Sequence, residues 1–391
     1  MQYNFDEFID RAGTNATKYA AARRVNPHLP EEFIPMWIAD MEFACASPIL
    51  EAMRARLDRR ILGYSSVETP AYFDAVTGWM RRRFGWEIEP EWITFSCGVV
   101  ASFYAAVQIL TKPNDRVLLM TPAYHPFDDA IVALGRAPLY SPLIERDGYY
   151  TVDWDDFAAK AADPRCTLFF LCSPHNPTGR VWTTEELTRI GEICFANNVF
   201  VVDDEIHADL LRAGVRHTPL AKLFPAESRI VTCTSPSKTF NIAGNRHANL
   251  IIPDESVRAT FADNAYCGHL GAFGIDATIA AYNECEDWLM QLNAYLDESF
   301  AVMDAFFKRR LPKARFRIPE GTYLGWVDLS ELGLSEDALD RLVSGAGVFV
   351  QFGKDFVSNA DCHARINIAC PRKTLLAALE RICDALAPCG G

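Results

Sequence analysis

Thr167-Leu168-Phe169-Phe170-Leu171-Cys172 is a near-continuous apolar run, closed by the turn Ser173-Pro174-His175-Asn176-Pro177-Thr178-Gly179. A helical pattern over 184–197 follows, and then Val199-Phe200-Val201-Val202-Asp203, a second apolar run that ends on acids. Strand, helix, strand, with neither strand alternating between apolar and polar, is the pattern of a parallel pair covered on both faces. The same unit recurs outward in both directions. Strand candidates lie at 92–96, 116–121, 230–235 and 249–252, separated in the earlier part by helical stretches at 99–110, 126–134 and 153–161. An α/β fold with a mostly parallel sheet between helices is expected. From Phe273 the pattern changes to long helical segments running to Leu311. Strand candidates at 315–318, 322–329, 348–352 and 365–369, with helices at 335–343 and 373–387, then predict a smaller α+β lobe.

The composition narrows the function without naming it. Half of the 391 residues are hydrophobic and 23% are charged, which is ordinary for a globular chain and excludes wholesale disorder. The 38 Lys+Arg against 51 Asp+Glu leave a formal net charge of −13. Sequence-independent binding to nucleic acid or to anionic lipid needs the opposite balance, so neither is an expected partner. The 12 cysteines include no CxxC pair and sit mostly in apolar strings, which reads as scattered reduced thiols with no metal site. Met1-Gln2-Tyr3-Asn4-Phe5-Asp6-Glu7 has neither the basic nor the apolar region of a secretory signal. No stretch approaches the ~18–20 apolar residues that span a bilayer, and a cytoplasmic location is expected.

Five segments carry candidate chemistry. Thr234-Ser235-Pro236-Ser237-Lys238-Thr239-Phe240-Asn241-Ile242-Ala243-Gly244 directly follows an apolar strand. A lysine placed there can be desolvated, which lowers its pKa and lets it form a Schiff base. Ser235 and Ser237 could donate to a phosphate from the same turn. A lone lysine after a strand reads as an ordinary loop residue, so the companion segments have to distinguish it. Asp203-Asp204-Glu205-Ile206-His207 closes another buried strand, at the edge where doubly wound sheets bind ligands. One of the two aspartates could simply cap the next helix; the other stays unexplained. Asn176 lies in a turn-forming Asn-Pro-Thr-Gly sequence and becomes functional only if it faces a ligand. Gly98, Val99 and Val100 mark a strand breaking into a helix start, whose free amides suit phosphate. Tyr124, after the strand candidate 116–121, could stack on a planar ligand or pack as a rim residue. No phosphate-loop, GxGxxG, HExxH or GxSxG signature is present.

Together these segments resemble the fold-type I pyridoxal 5′-phosphate (PLP) enzymes of the class I/II aminotransferase family, closest to the MalY/PatB branch of cystathionine β-lyases and C–S lyases. The similarity extends over nearly the whole chain. It includes Asp10-Arg11-Ala12-Gly13-Thr14-Asn15-Ala16-Thr17-Lys18, Pro35-Met36-Trp37-Ile38-Ala39-Asp40-Met41-Glu42-Phe43, Glu320-Gly321-Thr322-Tyr323-Leu324 and Arg365-Ile366-Asn367-Ile368-Ala369-Cys370-Pro371. The resemblance implies a large PLP-binding domain at 46–288 with a mostly parallel seven-stranded sheet. It also implies a small domain built from 1–45 and 289–391.

The resemblance also implies roles. Lys238 would attach PLP and then serve as the base at the substrate's Cα. Asp204 would pair with the pyridinium nitrogen, Asn176 with the ring oxygen O3′, and Tyr124 would stack on the ring. His207 would stand near O3′. The phosphate would be held by the amides at Gly98, Val99 and Val100 and by the hydroxyls of Ser235 and Ser237. Tyr64 would reach it from a second subunit, so a homodimer with shared active sites is expected. Arg365 would clamp the α-carboxylate of a small amino-acid substrate. Tyr19 and Trp37 are candidate pocket aromatics that core packing explains equally well. Arg246, eight residues after Lys238, departs from the branch: aminotransferases place a phosphate-binding arginine there, while the lyases often have an uncharged residue. The implied reaction is α,β-elimination from L-cystathionine or another L-cysteine S-conjugate, giving thiol, pyruvate and ammonia. An aminotransferase is the alternative, and a regulatory protein-binding role the alternative of another class.

Overall fold

Pleating divides the apolar strand residues between two layers. Along the strand Arg116–Thr121, Val117 and Leu119 pack into one apolar cluster with helix Val99–Leu110, while Leu118 and Met120 pack into another. The second cluster takes in helices Pro70–Phe84, Thr184–Ala196 and Ala272–Glu284. Side chains of successive residues point to opposite faces, so a strand covered on both sides must be apolar throughout. Burial of each large side chain contributes roughly 1.5–3 kcal/mol.

The computed structural model describes residues 2–264 and 270–387. Seven strands form the central sheet in the order Ile93–Ser96, Ala248–Ile251, Ile230–Thr234, Phe200–Asp204, Cys166–Cys172, Arg116–Thr121, Ala137–Pro142. Ala248–Ile251 runs antiparallel to both neighbours; the other neighbouring pairs are parallel. The expected α/β arrangement with a mostly parallel seven-stranded sheet is present. Helix Thr184–Ala196 begins at a capping box, Thr183 accepting from Glu186 N while the Glu186 carboxylate accepts from Thr183 N. Such a cap contributes about 1 kcal/mol.

A second sheet is antiparallel, in the order Arg315–Phe316, Leu324–Asp328, His363–Asn367, Gln351–Phe352. The 25-residue helix Glu286–Arg310 buries Leu292, Leu296, Phe300 and Phe307 at helical spacing. The single strand expected at 348–352 is two: Val348–Phe349 pairs in parallel with Ile34–Pro35, and Gln351–Phe352 pairs with His363–Asn367. The N-terminal chain continues along this sheet, with Met36 N donating to Phe349 O and Glu42 N to Ala369 O. Cys267 and Cys389 lie outside the described residues; Cys45, Cys97, Cys166, Cys172, Cys194, Cys285, Cys362, Cys370 and Cys383 are free thiols. Among the described residues no helix is long and apolar enough to cross a membrane.

Candidate active site

Strand register gathers the candidate residues at one edge of the central sheet. Asp204 stands opposite Cys172 on one neighbouring strand and Cys233 on the other. The turns that follow these three strands therefore meet around it. The antiparallel strand brings Ser96 to the same edge, opposite Ala248. Helix Val99–Leu110 starts there, after Gly98 at φ 145°, a backbone conformation that only glycine adopts readily. The first amides of a helix have no intrahelical acceptor and favour an anion. Gly179, at φ +70°, closes the turn that presents Asn176; an added Cβ would collide with Pro319 Cβ.

A cavity of about 620 Å³ opens at this edge. Lys238, Asp204, Asn176, His207, Tyr124 and Arg365 all line it, as do Gly98, Val99, Val100, Ser237 and Arg246. Ser235 does not. Its hydroxyl donates to the His247 carbonyl at 2.5 Å and accepts from Ser237 N at 3.1 Å, capping the short helix that carries Lys238. Tyr64 is also absent from the chain's own cavity and is fully exposed. Trp37 lines the cavity, whereas the Tyr19 hydroxyl donates to Glu42 instead.

Burial sets the electrostatics. Lys238 is lowered to about 8, chiefly by desolvation of its ammonium, and its Nζ donates to the carbonyl of Ala39 at 2.5 Å. Asp204 is raised to about 7, first by burial and further by Asp203, although Ile206 N donates to its Oδ1 at 3.1 Å. His207 lies well below the usual histidine range, because burial disfavours its cation and Lys238 and Arg365 repel it. It is therefore a neutral imidazole, packed edge-on against the Tyr323 ring at 5.9 Å.

Arg365 is buried at the back of the cavity and lowered to about 10 by desolvation. Its Nη1 donates to Asn176 Oδ1 at 2.8 Å, and its Nη2 to the Trp37 carbonyl at 3.1 Å and to Gln351. Its Nε has no partner, and no carboxylate forms an ion pair with it among the described residues. A buried guanidinium without a carboxylate is costly, and an incoming carboxylate repairs that.

Among the wall positions that residue type does not single out are Ala39, Tyr104, His247 and Gln351. Only Gln351 carries a signal, as the one polar side chain in the apolar run Val348-Phe349-Val350-Gln351-Phe352. Ala39 enters through its backbone, to which side-chain chemistry gives no clue.

Comparison with known proteins agrees with this geometry. The family described as aminotransferase class I and II matches residues 38–382. Cystathionine beta-lyase PatB of Bacillus subtilis (strain 168) is 41% identical over 388 residues, covering 98% of this chain and 100% of that protein. The crystal structure of the PLP-bound C-S lyase from Staphylococcus hominis superposes with a TM-score of 0.94 at 40% identity, over 99% of this chain and 98% of that one. Cystalysin from Treponema denticola, whose crystal structure contains a pyridoxal 5′-phosphate cofactor, gives a TM-score of 0.95 at 34% identity, over 99% of both chains. This chain belongs to the class I and II aminotransferase family.

Proposed function

We propose that this protein is a PLP-dependent carbon–sulfur β-lyase acting on L-cystathionine or another L-cysteine S-conjugate. The observation that carries the reading is the pairing, in one cavity, of a desolvated lysine amine with a buried arginine that no carboxylate among the described residues pairs with. The end-to-end similarity to C–S lyases supports it.

The residues present fit the cofactor. Asp204 is a carboxylate raised to about 7 chiefly by burial, and a protonated ring nitrogen would give it a cationic partner in the cavity. Asn176 has an amide nitrogen for the ring oxygen, with neutral His207 beside it, and Tyr124 offers an aromatic face. The helix start at Gly98, Val99 and Val100, the Ser237 hydroxyl and Arg246 form an anion-binding wall. The Ser235 hydroxyl, engaged with His247, supports that wall from behind.

When bound, PLP supplies the electron sink that makes the Cα–H bond of an amino acid acidic. Arg365 holds the substrate α-carboxylate and so fixes Cα against the lysine. Lys238 removes the Cα proton; a pKa near 8 leaves a usable share of free amine near neutrality. Loss of the β-thiolate, with hydrolysis of the remainder, gives thiol, pyruvate and ammonia. Tyr64, fully exposed on the single chain, completes the phosphate site of a second subunit in a homodimer. The large and small domains divide at residues 45–46 and 288–289, and the enzyme works in the cytoplasm.

Arg246 on the cavity wall favours an aminotransferase as the second reading. Incubation with L-cystathionine or L-cystine, without any keto acid, separates the two. From L-cystathionine the lyase reading expects pyruvate and thiol in equal amounts over many turnovers, and from L-cystine pyruvate with an equal amount of persulfide. A single half-turnover that leaves the cofactor in its amine form supports the aminotransferase.

A further inference from the structure

The Lys238 amine does not hang free in the cavity: it is docked on one backbone carbonyl. Ala39 O accepts from Lys238 Nζ at 2.5 Å and from the buried Tyr323 hydroxyl at 2.8 Å. That carbonyl belongs to a tight bend, closed by Asp40 N donating to Ile38 O at 2.9 Å. The flanking carbonyls are tied elsewhere: Asn367 Nδ2 donates to both Ile38 O and Asp40 O, each at 2.6 Å. The bend thus leaves the middle carbonyl as the one offered to the cavity.

Behind the bend is an ion cluster too elaborate for a surface turn. Lys18 is almost wholly buried, at 1% exposure, and its Nζ reaches Asp40 O at 3.0 Å, Asp40 Oδ1 at 3.2 Å and Glu42 Oε1 at 2.9 Å. Arg11 pairs with Asp40 Oδ2 at 2.8 Å and with Glu42 Oε1 at 2.9 Å. A cluster of two cations and two anions contributes little net stability once desolvation is counted, but it fixes geometry well.

We propose that the Ala39 carbonyl is the docking acceptor for the free Lys238 amine, and that Asp40, held by Lys18 and Arg11, is the positioning residue that keeps it there. The inference rests on the reading of Lys238 as the cofactor lysine. Attachment to the cofactor removes the amine from the carbonyl, and displacement by a substrate amine returns it. Proton transfer at Cα therefore always starts from the same place. The charged and titratable groups facing Lys238 are Asp40, Asp204, Arg365, Lys18 and His207, with Tyr323 on the shared carbonyl. Of the two carboxylates, Asp40 acts more strongly on the amine.

Two variants have opposite expected signs. Asp40→Asn removes a nearby negative charge and loosens the carbonyl, so Lys238 should lose its proton about one pH unit lower. Tyr323→Phe removes the competing donor and leaves the carbonyl to Lys238 alone, so its proton should be lost at higher pH. The readout is competitive acetylation of Lys238 in the full chain stripped of cofactor, followed by peptide mass against pH. The acid limb of kcat in the loaded enzyme is followed in parallel. Opposite shifts support the proposal, and if Asp40→Asn does not fold, the upward shift of Tyr323→Phe alone supports it. Unmoved midpoints, or shifts of one sign in both variants, overturn it. Borohydride-reducible attachment of the cofactor, lost in Lys238→Ala, checks the underlying reading separately.

Discussion

Asp203 and Asp204 are neighbours on the strand Phe200–Asp204, yet pleating sends their carboxyls to opposite faces of the sheet. Asp204 follows Val202 to the side of helix Val99–Leu110 and lines the cavity. Asp203 follows Val201 into the dry layer behind, where it meets Glu205, His217 and the backbone N–H of Leu220 at 3.4 Å. There Glu205 Oε2 and His217 Nε2 lie 3.3 Å apart, both wholly buried. Burial raises Asp203 well above the carboxylate range and Glu205 to about 8, and lowers His217 to about 4. Burial thus favours the neutral form of all three groups. Asp204 shares the burial but faces a space that a cation can enter. One residue of sequence separates a carboxyl enclosed by protein from one that lines the cavity.

An amide in place of each acid sharpens the contrast. Asp204→Asn should lower lyase turnover on the order of 100-fold or more, because a charge that stabilises the reacting system is lost. Its thermal stability without cofactor should be unchanged or higher, since a costly buried acid is gone. Equal damage to turnover and stability would erase the distinction between the two faces.

The next effect is on stability against pH. Glu205 holds its proton in the folded chain up to about pH 8, whereas the unfolded chain releases it near the ordinary 4.5. In that window the folded state binds more protons, so stability falls as pH rises. His217 works in the opposite direction, but only below its ordinary 6.5. Thermal melts of the cofactor-free chain should therefore drop between about pH 6.5 and 8.5, and Glu205→Gln should flatten that slope. An unchanged slope would mean that Glu205 is already ionised.

Asp203→Asn should do least. The amide replaces a protonated acid of the same shape, and turnover should stay within about twofold of the parent. A loss as large as that of Asp204→Asn would place the electronic partner of the cofactor on the wrong residue.

Much of this was legible in the chain itself. The strand at 116–121 and the helix at 99–110 coincide with Arg116–Thr121 and Val99–Leu110, because both-face burial and helical spacing leave plain patterns. The edge strand Ala137–Pro142 was not foreseen. Its one-sided burial and two prolines are tolerable only where the ladder has a free side. In the cavity, Lys238, Asp204 and Asn176 were legible because each ends or follows a buried strand. Gln351, His247 and the Ala39 carbonyl were not, since they reach the cavity from segments whose proximity only the folded chain creates. The Ser235 hydroxyl was foreseen as a donor to phosphate, and local capping geometry turned it toward His247 O instead.

The central claim is that the amine at the cavity edge, Lys238, is where the cofactor attaches. Borohydride reduction of the PLP-loaded protein, followed by proteolysis and mass spectrometry, tests it directly. The account predicts a pyridoxyl phosphate adduct confined to the peptide that contains Lys238, and none in Lys238→Ala. An adduct on another lysine, or none in the parent protein, would contradict it.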